Sequence, residues 1–504
     1  MEKNHNLLAT VDLGSNSFRL LIASVREDNT LHPIDQIKET VRLTGGLDEN
    51  NNLTPEKQTS ALEVLARFAE RLIGFDKSQV RVVGTSALRV ARNAEDFIAI
   101  ANKTLGFNIE VISGTEEARL IYIGAMHSLS FSKDKRLVVD IGGGSTEFVT
   151  GTGYEPQVME SVTMGCVSFS NRYFVGGELS EYNFANAIFA ARGKVQAMEH
   201  LFASHDWKAA IGTSGTARAL YDLCIENGYA DQISLDALYK IRKHLIKQKN
   251  IKNLSIKSLN GLKDDRIPVI AGGLSIMTGV MEELNIATMT IADGSLREGV
   301  MYDLLGRKTN HDLRESTVER LKKRSLLDDA QGDRVARVAL DLYRQIVDPA
   351  KLDIEQMKLL QWSAQLYETG LAISHNDYHK HGAYVLANAE LAGFSKPEQT
   401  LLADLVRAHR GGLNKAIEGL KNKRRVRSKL LMMVLCFRLS VIFNRNRKDM
   451  PEDHIIQVDG ATKEGFNLLI NDKWLAQNPL TLYSLNEEIS EWKKLNFKIK
   501  LVTS

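Results

Sequence analysis

The chain is poor in cysteine and lacks the long apolar runs of a membrane protein. Its three cysteines, Cys166, Cys224 and Cys436, are far apart, and no two have the spacing of a metal or redox pair. We expect them to be small buried hydrophobic residues in a reducing compartment. No stretch reaches the roughly 20 apolar residues that span a bilayer. Residues 1–6 are polar and lead directly into a strand, without a secretory pattern, so we expect a cytoplasmic protein.

Three common catalytic motifs are also missing. The sequence contains no Gly-x4-Gly-Lys-Ser/Thr loop, which excludes a P-loop enzyme, and no His-Glu-x-x-His zinc motif. Gly-x-Ser-x-Gly is absent around plausible nucleophile positions, which argues against a serine hydrolase. The formal net charge of +3 is too small to indicate a partner by itself.

What is present is typical of a multidomain globular protein. The chain has 504 residues, of which 43% are hydrophobic and 25% charged, and this length is too great for one hydrophobic core. We divide it into two α/β domains, residues 1–124 and 125–305, a helical domain, residues 306–450, and a small α+β segment, residues 451–504. The helical part is predicted from amphipathic periodicity in residues 315–345, 354–370, 396–410 and 428–444.

Two segments of the α/β part resemble each other. LLATVDLGSNSFRL begins at residue 7 and RLVVDIGGGSTEFV at residue 136. Each reads as an apolar strand, then Asp-hydrophobic-Gly, then small hydroxyl residues, then a second strand. This long-period repeat predicts two duplicated α/β domains that face each other across a cleft.

The two repeated turns are the strongest candidates for a phosphate site. Gly14 permits a tight turn after Asp12, and the N–H groups and hydroxyls of such a turn can surround anionic oxygens. Three consecutive glycines follow Asp140 and Ile141 in the second turn, and we attribute them to the close approach of a ligand. Asp140 and Glu147 add carboxylates of the kind that hold a hard cation such as Mg²⁺.

Other motifs add candidate catalytic groups. Residues 113–120 (SGTEEARL) place Glu116 and Glu117 at a strand-to-helix junction. Carboxylates there favour the helix dipole, which is the simpler explanation for Glu116, and a general-base role is expected for one of the two. Residues 85–89 (TSALR) end in Arg89, which is either a surface residue or a bidentate ligand of phosphate. Hydroxyl-rich or glycine-rich turns recur at residues 212–216 (GTSGT), 271–273 (AGG) and 293–299 (DGSLREG).

Together these motifs resemble a known family, the exopolyphosphatases and guanosine pentaphosphate phosphohydrolases, within the actin and sugar-kinase superfold. The resemblance runs in order through VDLGSNSFRLLIA, VVGTSALR, VISGTEEARLIY, LVVDIGGGSTEFV, MGCVSF, IGTSGT and DGSLREGV, and it covers residues 7–305. The length and the helical C-terminal half are similar to the long, exopolyphosphatase-type members. The resemblance implies an actin-like (ribonuclease H-like) fold and direct attack of water on a terminal phosphorus, without a covalent intermediate.

The resemblance also implies roles for single residues. Glu117 matches the catalytic base, and Asp140 and Glu147 match acidic residues near the cation and the attacking water. Arg89 would neutralise developing charge, and we add Asp12 to Asp140 and Glu147 as a metal ligand. The phosphate-contacting positions would be Ser15, Asn16, Ser17, Arg89, Gly143, Gly144 and Ser145, and we add Thr213 and Ser214. Mg²⁺ is the expected cofactor, with K⁺ as a second candidate cation.

The helical domain resembles a degenerate metal-dependent phosphohydrolase domain of the HD type. It has Tyr367-Glu368 where an active member would have His-Asp, although His375, His379, His381 and His409 remain nearby. Without the adjacent His-Asp pair a binuclear metal site is doubtful. We expect a structural or substrate-contact role for this domain, and the resemblance implies a homodimer whose helical domains help to build the substrate channel.

A basic run favours a long anionic substrate. Residues 415–429 contain seven lysines and arginines against one acid, Glu418, and we expect Lys423, Arg424 and Arg425 to contact substrate. A solvated surface is the simpler explanation of such a run, but a polyphosphate chain would follow it electrostatically. Few aromatic residues interleave with the cations, which argues against a nucleic-acid partner.

We therefore expect an exopolyphosphatase that acts on inorganic polyphosphate. The first alternative is hydrolysis of guanosine pentaphosphate to the tetraphosphate, which uses the same phosphate chemistry. A sugar or acetate kinase and a non-enzymatic sensor of polyphosphate or RNA are further alternatives. The phosphohydrolase hypotheses require Ser15, Ser145 and Glu117 to lie together.

Overall fold

The structure, a computed structural model, divides into two compact units, Met1–Leu313 and Arg314–Ser504. It describes residues 6–26, 31–130, 132–203, 206–255, 258–308, 312–389, 391, 393–413, 427–450, 456–462 and 464–503. In these ranges no helix is long and apolar enough to cross a membrane. Cys166, Cys224 and Cys436 are buried and form no disulfide, which confirms the predicted burial.

The first sheet of the first unit has five strands in the order β3-β2-β1-β4-β5. The central strand β1 is the apolar run LLATVDL, which is buried on both faces. It pairs antiparallel with β2 and parallel with β4. The strands are β1 (Leu7–Leu13), β2 (Ser17–Val25), β3 (Leu31–Thr40), β4 (Val80–Gly84) and β5 (Ile109–Val111), with helices α1 (Pro55–Arg71), α2 (Ser86–Val90) and α3 (Ala94–Leu105).

The second sheet has six strands in the order β10-β11-β9-β6-β7-β8. The strands are β6 (Lys135–Ile141), β7 (Thr146–Thr152), β8 (Glu155–Val162), β9 (Ala209–Thr213), β10 (Ile233–Ser234) and β11 (Thr288–Ile291). The helices are α5 (Cys166–Tyr173), α6 (Glu181–Gln196), α7 (Ser214–Glu226), α8 (Leu235–Lys247) and α9 (Ile270–Glu283). Strands β8-β7-β6-β9-β11 repeat the order and the directions of β3-β2-β1-β4-β5.

Two helices, α4 (Gly114–His127) and α10 (Leu296–Lys308), cross between the two sheets. Helix α4 follows the first sheet but packs on β7 and β8, whereas α10 follows the second sheet and packs on β1, β2 and β4. Glycines allow the crossing: a Cβ on Gly124 would lie 1.9 Å from the Ser295 carbonyl oxygen, and one on Gly299 would lie 1.7 Å from that of Leu120. Any side chain at these two positions would push the helices apart.

Beside the crossing lies a network of buried ions, which we call the crossing cluster. It consists of Arg81 on β4, Glu110 on β5, Glu116 and Arg119 on α4, and Asp303 on α10. Arg81 Nη1 lies 2.5 Å from Asp303 Oδ2, and Arg119 Nη2 lies 2.5 Å from Asp303 Oδ1. Arg119 also holds both oxygens of Glu116, each at 2.8 Å. Asp303 therefore ties α10 to both β4 and α4.

The second unit is mainly helical and ends in a small sheet. Its helices are α11 (Leu313–Arg324), α12 (Asp329–Ile346), α13 (Ile354–Gln365), α14 (Tyr378–Asn388), α15 (Lys396–Ala408) and α16 (Arg427–Phe443). There follow β12 (Ile456–Asp459), β13 (Gly465–Ile470), α17 (Asp472–Gln477), α18 (Pro479–Lys493) and β14 (Lys498–Thr503), with the sheet order β12-β13-β14. One apolar core runs from Val318 to Ile499, so the small sheet packs with the helices of its unit.

Candidate functional site

A cavity of about 100 Å³ lies in the first unit, where the turns that follow β1 and β6 meet. Eleven of the residues singled out in the sequence line it: Asp12, Ser15, Asn16, Ser17, Glu117, Asp140, Gly143, Gly144, Ser145, Glu147 and Ser214. Ser15, Ser145 and Glu117, on which the enzymatic hypotheses depend, are among them. The roles given to these residues stay predictions.

The turn between β1 and β2 presents hydroxyl groups to the cavity. Ser15 and Ser17 are buried, and Ser15 Oγ has no hydrogen-bond partner in the described structure. A buried hydroxyl without a partner is costly. This turn therefore offers a donor that a ligand oxygen could satisfy.

The glycine-rich turn between β6 and β7 packs directly against the first turn. A Cβ on Gly143 would lie 3.1 Å from Ser15 Cβ, and one on Gly144 would lie 2.8 Å from Ser86 Oγ. The sequence analysis attributed these glycines to the approach of a ligand. The structure adds a packing reason, because side chains here would separate the two turns.

Four carboxylates, which we call the pocket cluster, line the same cavity: Asp12, Glu117, Asp140 and Glu147. Burial raises the pKa of Asp12 to about 7, although the charge of Arg19 lowers it. Burial also raises the pKa of Glu147 well above its usual range, and the charges of Glu117 and Asp140 add to this effect. Asp12 Oδ1 is buried and has no hydrogen-bond partner among the described residues.

Glu117 points into the cavity from the first turn of α4. Its Oε2 accepts a hydrogen bond from Arg89 Nη1 at 2.7 Å, and the same nitrogen donates to the Ile112 carbonyl at 3.1 Å. Burial raises the pKa of Glu117 and outweighs the charge of Arg89. Glu116, the preceding residue, lies in the crossing cluster, so the two adjacent carboxylates pair with different arginines.

Asp140 is held by two serines from different turns. Ser214 Oγ donates to Asp140 Oδ2 at 2.5 Å, and Ser295 Oγ donates to the same oxygen at 3.0 Å. Burial raises the pKa of Asp140 to about 6, although both hydrogen bonds lower it. Ser214 adopts a left-handed backbone with φ of +64°, a conformation that is strained for a serine.

Two of the predicted residues, Arg89 and Thr213, are not among the residues that line the cavity. Arg89 reaches it only through Glu117, and the hydroxyl of Thr213 donates to the Gly294 carbonyl at 2.7 Å. Both side chains thus hold neighbouring parts of the site. Lys423, Arg424 and Arg425 lie outside the described residues.

Three arginines that the sequence analysis did not select also line the cavity: Arg19, Arg266 and Arg297. Arg19 lies two residues after Ser17 on β2, so the period of a strand places both on one face, a signal that was available. Arg297 lies in the noted segment 293–299. Arg266 comes from a loop before α9, and nothing in its local sequence marks it. Burial and then the charge of Arg297 lower the pKa of Arg19, which indicates a cationic side of the cavity.

These arrangements fit one kind of ligand. Hydroxyl-rich turns and arginines suit the oxygens of a phosphate group, while buried carboxylates of raised pKa suit a base that accepts a proton from water. The cavity can therefore bind a terminal phosphate and activate a water molecule beside it.

Comparison with known proteins agrees with this geometry. Residues 21–308 match the Ppx/GppA phosphatase family, and residues 313–489 match domain III of the same family. Guanosine-5'-triphosphate,3'-diphosphate pyrophosphatase of Pseudoalteromonas translucida is 37% identical over 503 residues, which are 99% of each chain. An exopolyphosphatase from Cytophaga hutchinsonii is 25% identical, with a TM-score of 0.53 over 60% of this chain and 98% of its own. The first unit thus has the α/β fold of actin-like proteins.

Proposed function

Because the chain belongs to the Ppx/GppA phosphatase family, we propose that it hydrolyses guanosine pentaphosphate to the tetraphosphate and inorganic phosphate. The family confirms the prediction of a phosphohydrolase that acts on anhydride bonds. The comparisons favour guanosine pentaphosphate over inorganic polyphosphate as the substrate. A relative that matches this chain over 99% of its length is a guanosine-5'-triphosphate,3'-diphosphate pyrophosphatase.

One observation carries the proposal: the turn hydroxyls, the arginines and the buried carboxylates all line one cavity of about 100 Å³. A cavity of that volume accepts a terminal phosphate and a water molecule rather than a whole nucleotide. The reaction must therefore take place at the end of the phosphate chain.

The chemistry follows from the placement of charge. Glu117 takes a proton from water as the water oxygen attacks the terminal phosphorus, and the anhydride bond to the inner phosphate breaks. Arg89 orients the base through its 2.7 Å hydrogen bond. Arg19 and Arg297, with the hydroxyls of Ser15 and Ser145, stabilise the charge that spreads over the phosphate oxygens.

Mg²⁺ fits the pocket cluster, and its binding stays a proposal. The unpartnered Asp12 Oδ1 and the raised pKa values of Asp12, Asp140 and Glu147 mark negative charge that lacks compensation. In the described residues no three His, Cys, Asp or Glu side chains form a complete metal site. Mg²⁺ is usually held by one or two carboxylates together with water and phosphate oxygens, and Asp12, Asp140 and Glu147 would supply the carboxylates. When bound, it would neutralise charge on the phosphate oxygens.

Inorganic polyphosphate is the second candidate substrate. The exopolyphosphatase from Cytophaga hutchinsonii shares the fold of the first unit, and polyphosphate presents the same terminal group. The basic run at residues 415–429 lies mostly outside the described residues, so it adds no structural argument.

The test compares kcat/KM for guanosine pentaphosphate with kcat/KM for long-chain polyphosphate on the full chain. We expect the nucleotide to be preferred by at least about tenfold, because its 3'-diphosphate adds charge-assisted contacts beside the triphosphate. A preference for polyphosphate would overturn the choice of substrate. Absence of phosphate release from both would overturn the enzymatic proposal.

The remaining architectural expectations are proposals too. The matching order of five strands in the two sheets supports duplicated domains. In the second unit, His409 Nδ1 lies 2.5 Å from the Val406 carbonyl oxygen, and burial lowers its pKa to about 3. Glu368 pairs with Arg447. These contacts support a structural role for a degenerate HD-like domain. We also propose that the protein forms a homodimer and that it binds K⁺.

A further inference from the structure

A row of opposed residues crosses the second sheet beside the cavity. Asp140 on β6 is paired with Glu147 on β7, and Glu147 is paired with Ser161 on β8, the edge strand. Directly opposed residues of antiparallel strands place their side chains on the same face, about 5 Å apart. The row therefore leads from two carboxylates of the pocket cluster to a hydroxyl group on the last strand of the sheet.

The hydroxyl of Ser161 holds one of these carboxylates. Ser161 Oγ donates a hydrogen bond to Glu147 Oε1 at 2.8 Å. Glu147 is only 1% exposed and lines the cavity, whereas Ser161 is partly buried and is not among the lining residues. Ser145 forms a second side-chain hydrogen bond with Glu147. A carboxylate has about four lone-pair sites, so Glu147 can bind both hydroxyl groups and still face a ligand in the cavity.

Ser161 also lies directly against the start of α4. A Cβ on Gly114, the first residue of that helix, would lie 2.5 Å from Ser161 Cβ and 2.6 Å from Ser161 Oγ. Any side chain at residue 114 would therefore displace either Ser161 or the helix. Because the first turn of α4 carries Glu117, the contact between Gly114 and Ser161 fixes the spacing of Glu117 and Glu147.

Like charges make such a support necessary. The charges of Glu117 and Asp140 both act on Glu147, and carboxylates repel one another more strongly in a buried place than in water. Each carboxylate therefore needs a donor that holds its side chain in one orientation. Arg89 has this role for Glu117, at 2.7 Å, and Ser161 has it for Glu147.

We propose that Ser161 is a positioning residue of the reaction: its hydroxyl orients Glu147 as a ligand of Mg²⁺, and its contact with Gly114 keeps Glu147 at a fixed distance from Glu117. This inference rests on the proposed function, since it concerns the same site. Groups that hold a metal ligand by a hydrogen bond typically change metal affinity or activity by about 10- to 100-fold when they are removed.

The experiment measures the Kd for Mg²⁺ of the full chain without substrate, by calorimetry, together with kcat and KM for guanosine pentaphosphate. In Ser161→Ala we expect the Kd for Mg²⁺ to rise about tenfold and kcat to fall about tenfold. KM should be unchanged, because Ser161 does not line the cavity. Ser161→Thr keeps the hydroxyl and should restore both values.

A second variant tests the spacing. Gly114→Ala keeps the Ser161 hydroxyl but places a methyl group against it. We expect kcat to fall by roughly 10- to 100-fold, because a misplacement of about 1 Å can cost that much in rate. A wild-type kcat in Gly114→Ala would overturn the part of the proposal that concerns Glu117.

A matched hydrogen bond in the second unit provides the control. Ser395 Oγ donates to Glu398 Oε2 at 2.8 Å, the same kind of bond at the same length, and Ser395 is the N-cap of α15. Ser395→Ala should lower the melting temperature, because a cap is lost, but it should leave the Kd for Mg²⁺ unchanged.

Three results would overturn the role of Ser161. They are an unchanged Kd and kcat in Ser161→Ala, a Kd in Ser161→Thr as high as in Ser161→Ala, and no Mg²⁺ binding by the wild type. If the wild type released no phosphate from guanosine pentaphosphate or from polyphosphate, the proposed function would fail instead. The Kd values for Mg²⁺ need no substrate, so they would still decide whether Ser161 orients Glu147.

Discussion

The pocket cluster and the crossing cluster are both groups of buried charge in the first unit, yet they are compensated in opposite ways. In the crossing cluster two arginines form close ion pairs with three carboxylates. Burial would lower the pKa of Arg119, but Glu116 and Asp303 raise it above its usual value. In the pocket cluster only Glu117 has an arginine partner among the described residues, and burial raises the pKa of all four carboxylates.

The difference separates structure from chemistry. A buried ion that is fully paired fixes the elements that carry it and is unavailable to a ligand. Carboxylates whose burial outweighs any neighbouring cation, as in the pocket cluster, stay poised to accept a proton or a metal ion. Glu116 belongs to the crossing cluster and Glu117 to the pocket cluster, although the two residues are adjacent in the chain. The following predictions test whether the two clusters really differ in this way.

The largest expected effect is on turnover. Glu117→Gln removes the base, so we expect kcat to fall by roughly 10²- to 10⁴-fold. Thermal stability should not fall, because burial already outweighs the charge of Arg89 in the pKa of Glu117 and the change removes one charge from a group of like charges. Phosphate release and thermal melting of the same preparations provide the two measurements.

Glu116→Gln is the matched control for Glu117→Gln. It leaves Arg119 and Arg81 short of negative charge in a buried place, so we expect a loss of about 3 kcal/mol in the free energy of unfolding. Below the melting transition, kcat should stay within about tenfold of the wild type. If Glu116→Gln abolished turnover at full stability, or Glu117→Gln unfolded the protein, the division between the clusters would be wrong.

A smaller effect concerns pH and metal. The pKa of Asp12 is about 7 in the folded protein against an ordinary value of 3.8, so the folded state binds this proton more tightly than the unfolded state. Its contribution to stability is therefore complete below about pH 4 and is lost as the pH rises to about 7. Without divalent cations we expect the melting temperature to fall by several degrees between about pH 5 and pH 7.

Asp12→Asn separates this effect from other titrations. Over the same pH range the melting temperature of the variant should fall much less than that of the wild type. Mg²⁺ should also reduce the fall in the wild type, because it replaces the proton as the compensating charge. If the melting temperature fell equally with pH in the variant and in the wild type, Asp12 would not be the group responsible for the pH dependence.

The strands around the site could be predicted because their sequences are short, continuous and apolar. The apolar runs LLATVDL and VRVVG form β1 (Leu7–Leu13) and β4 (Val80–Gly84). The helix-like pattern of residues 87–105 alone would predict one helix, but α2 ends at Val90 and α3 begins at Ala94. There Asn93 exchanges two hydrogen bonds with the Leu53 backbone, at 2.8 and 3.0 Å. A partner 40 residues away is invisible to local periodicity.

The edge strand β3 and Arg266 escaped prediction for similar reasons. Strand β3 has no fully buried residue, one of its faces being exposed and the other mostly half-buried, and its sequence has no apolar alternation that would reveal it. Arg266 enters the cavity from a loop, and its place depends on how the whole second sheet is built. Glu116 was distinguishable in principle, because Arg119 follows it at the spacing of helical ion pairs.

The smallest expected effect concerns the hydrogen bonds that hold Asp140 in the pocket cluster. Asp140 depends on hydroxyl groups, and Ser214 supplies the shorter of its two serine hydrogen bonds from a strained backbone. Ser214→Ala removes the hydroxyl and keeps the strain, whereas Ser214→Gly removes the hydroxyl and relieves it. We expect kcat to fall about tenfold in both variants, with Ser214→Gly more stable than Ser214→Ala by about 0.5–1 kcal/mol. Unequal losses of kcat, measured at saturating substrate beside thermal melts, would mean that the backbone rather than the hydroxyl places Asp140.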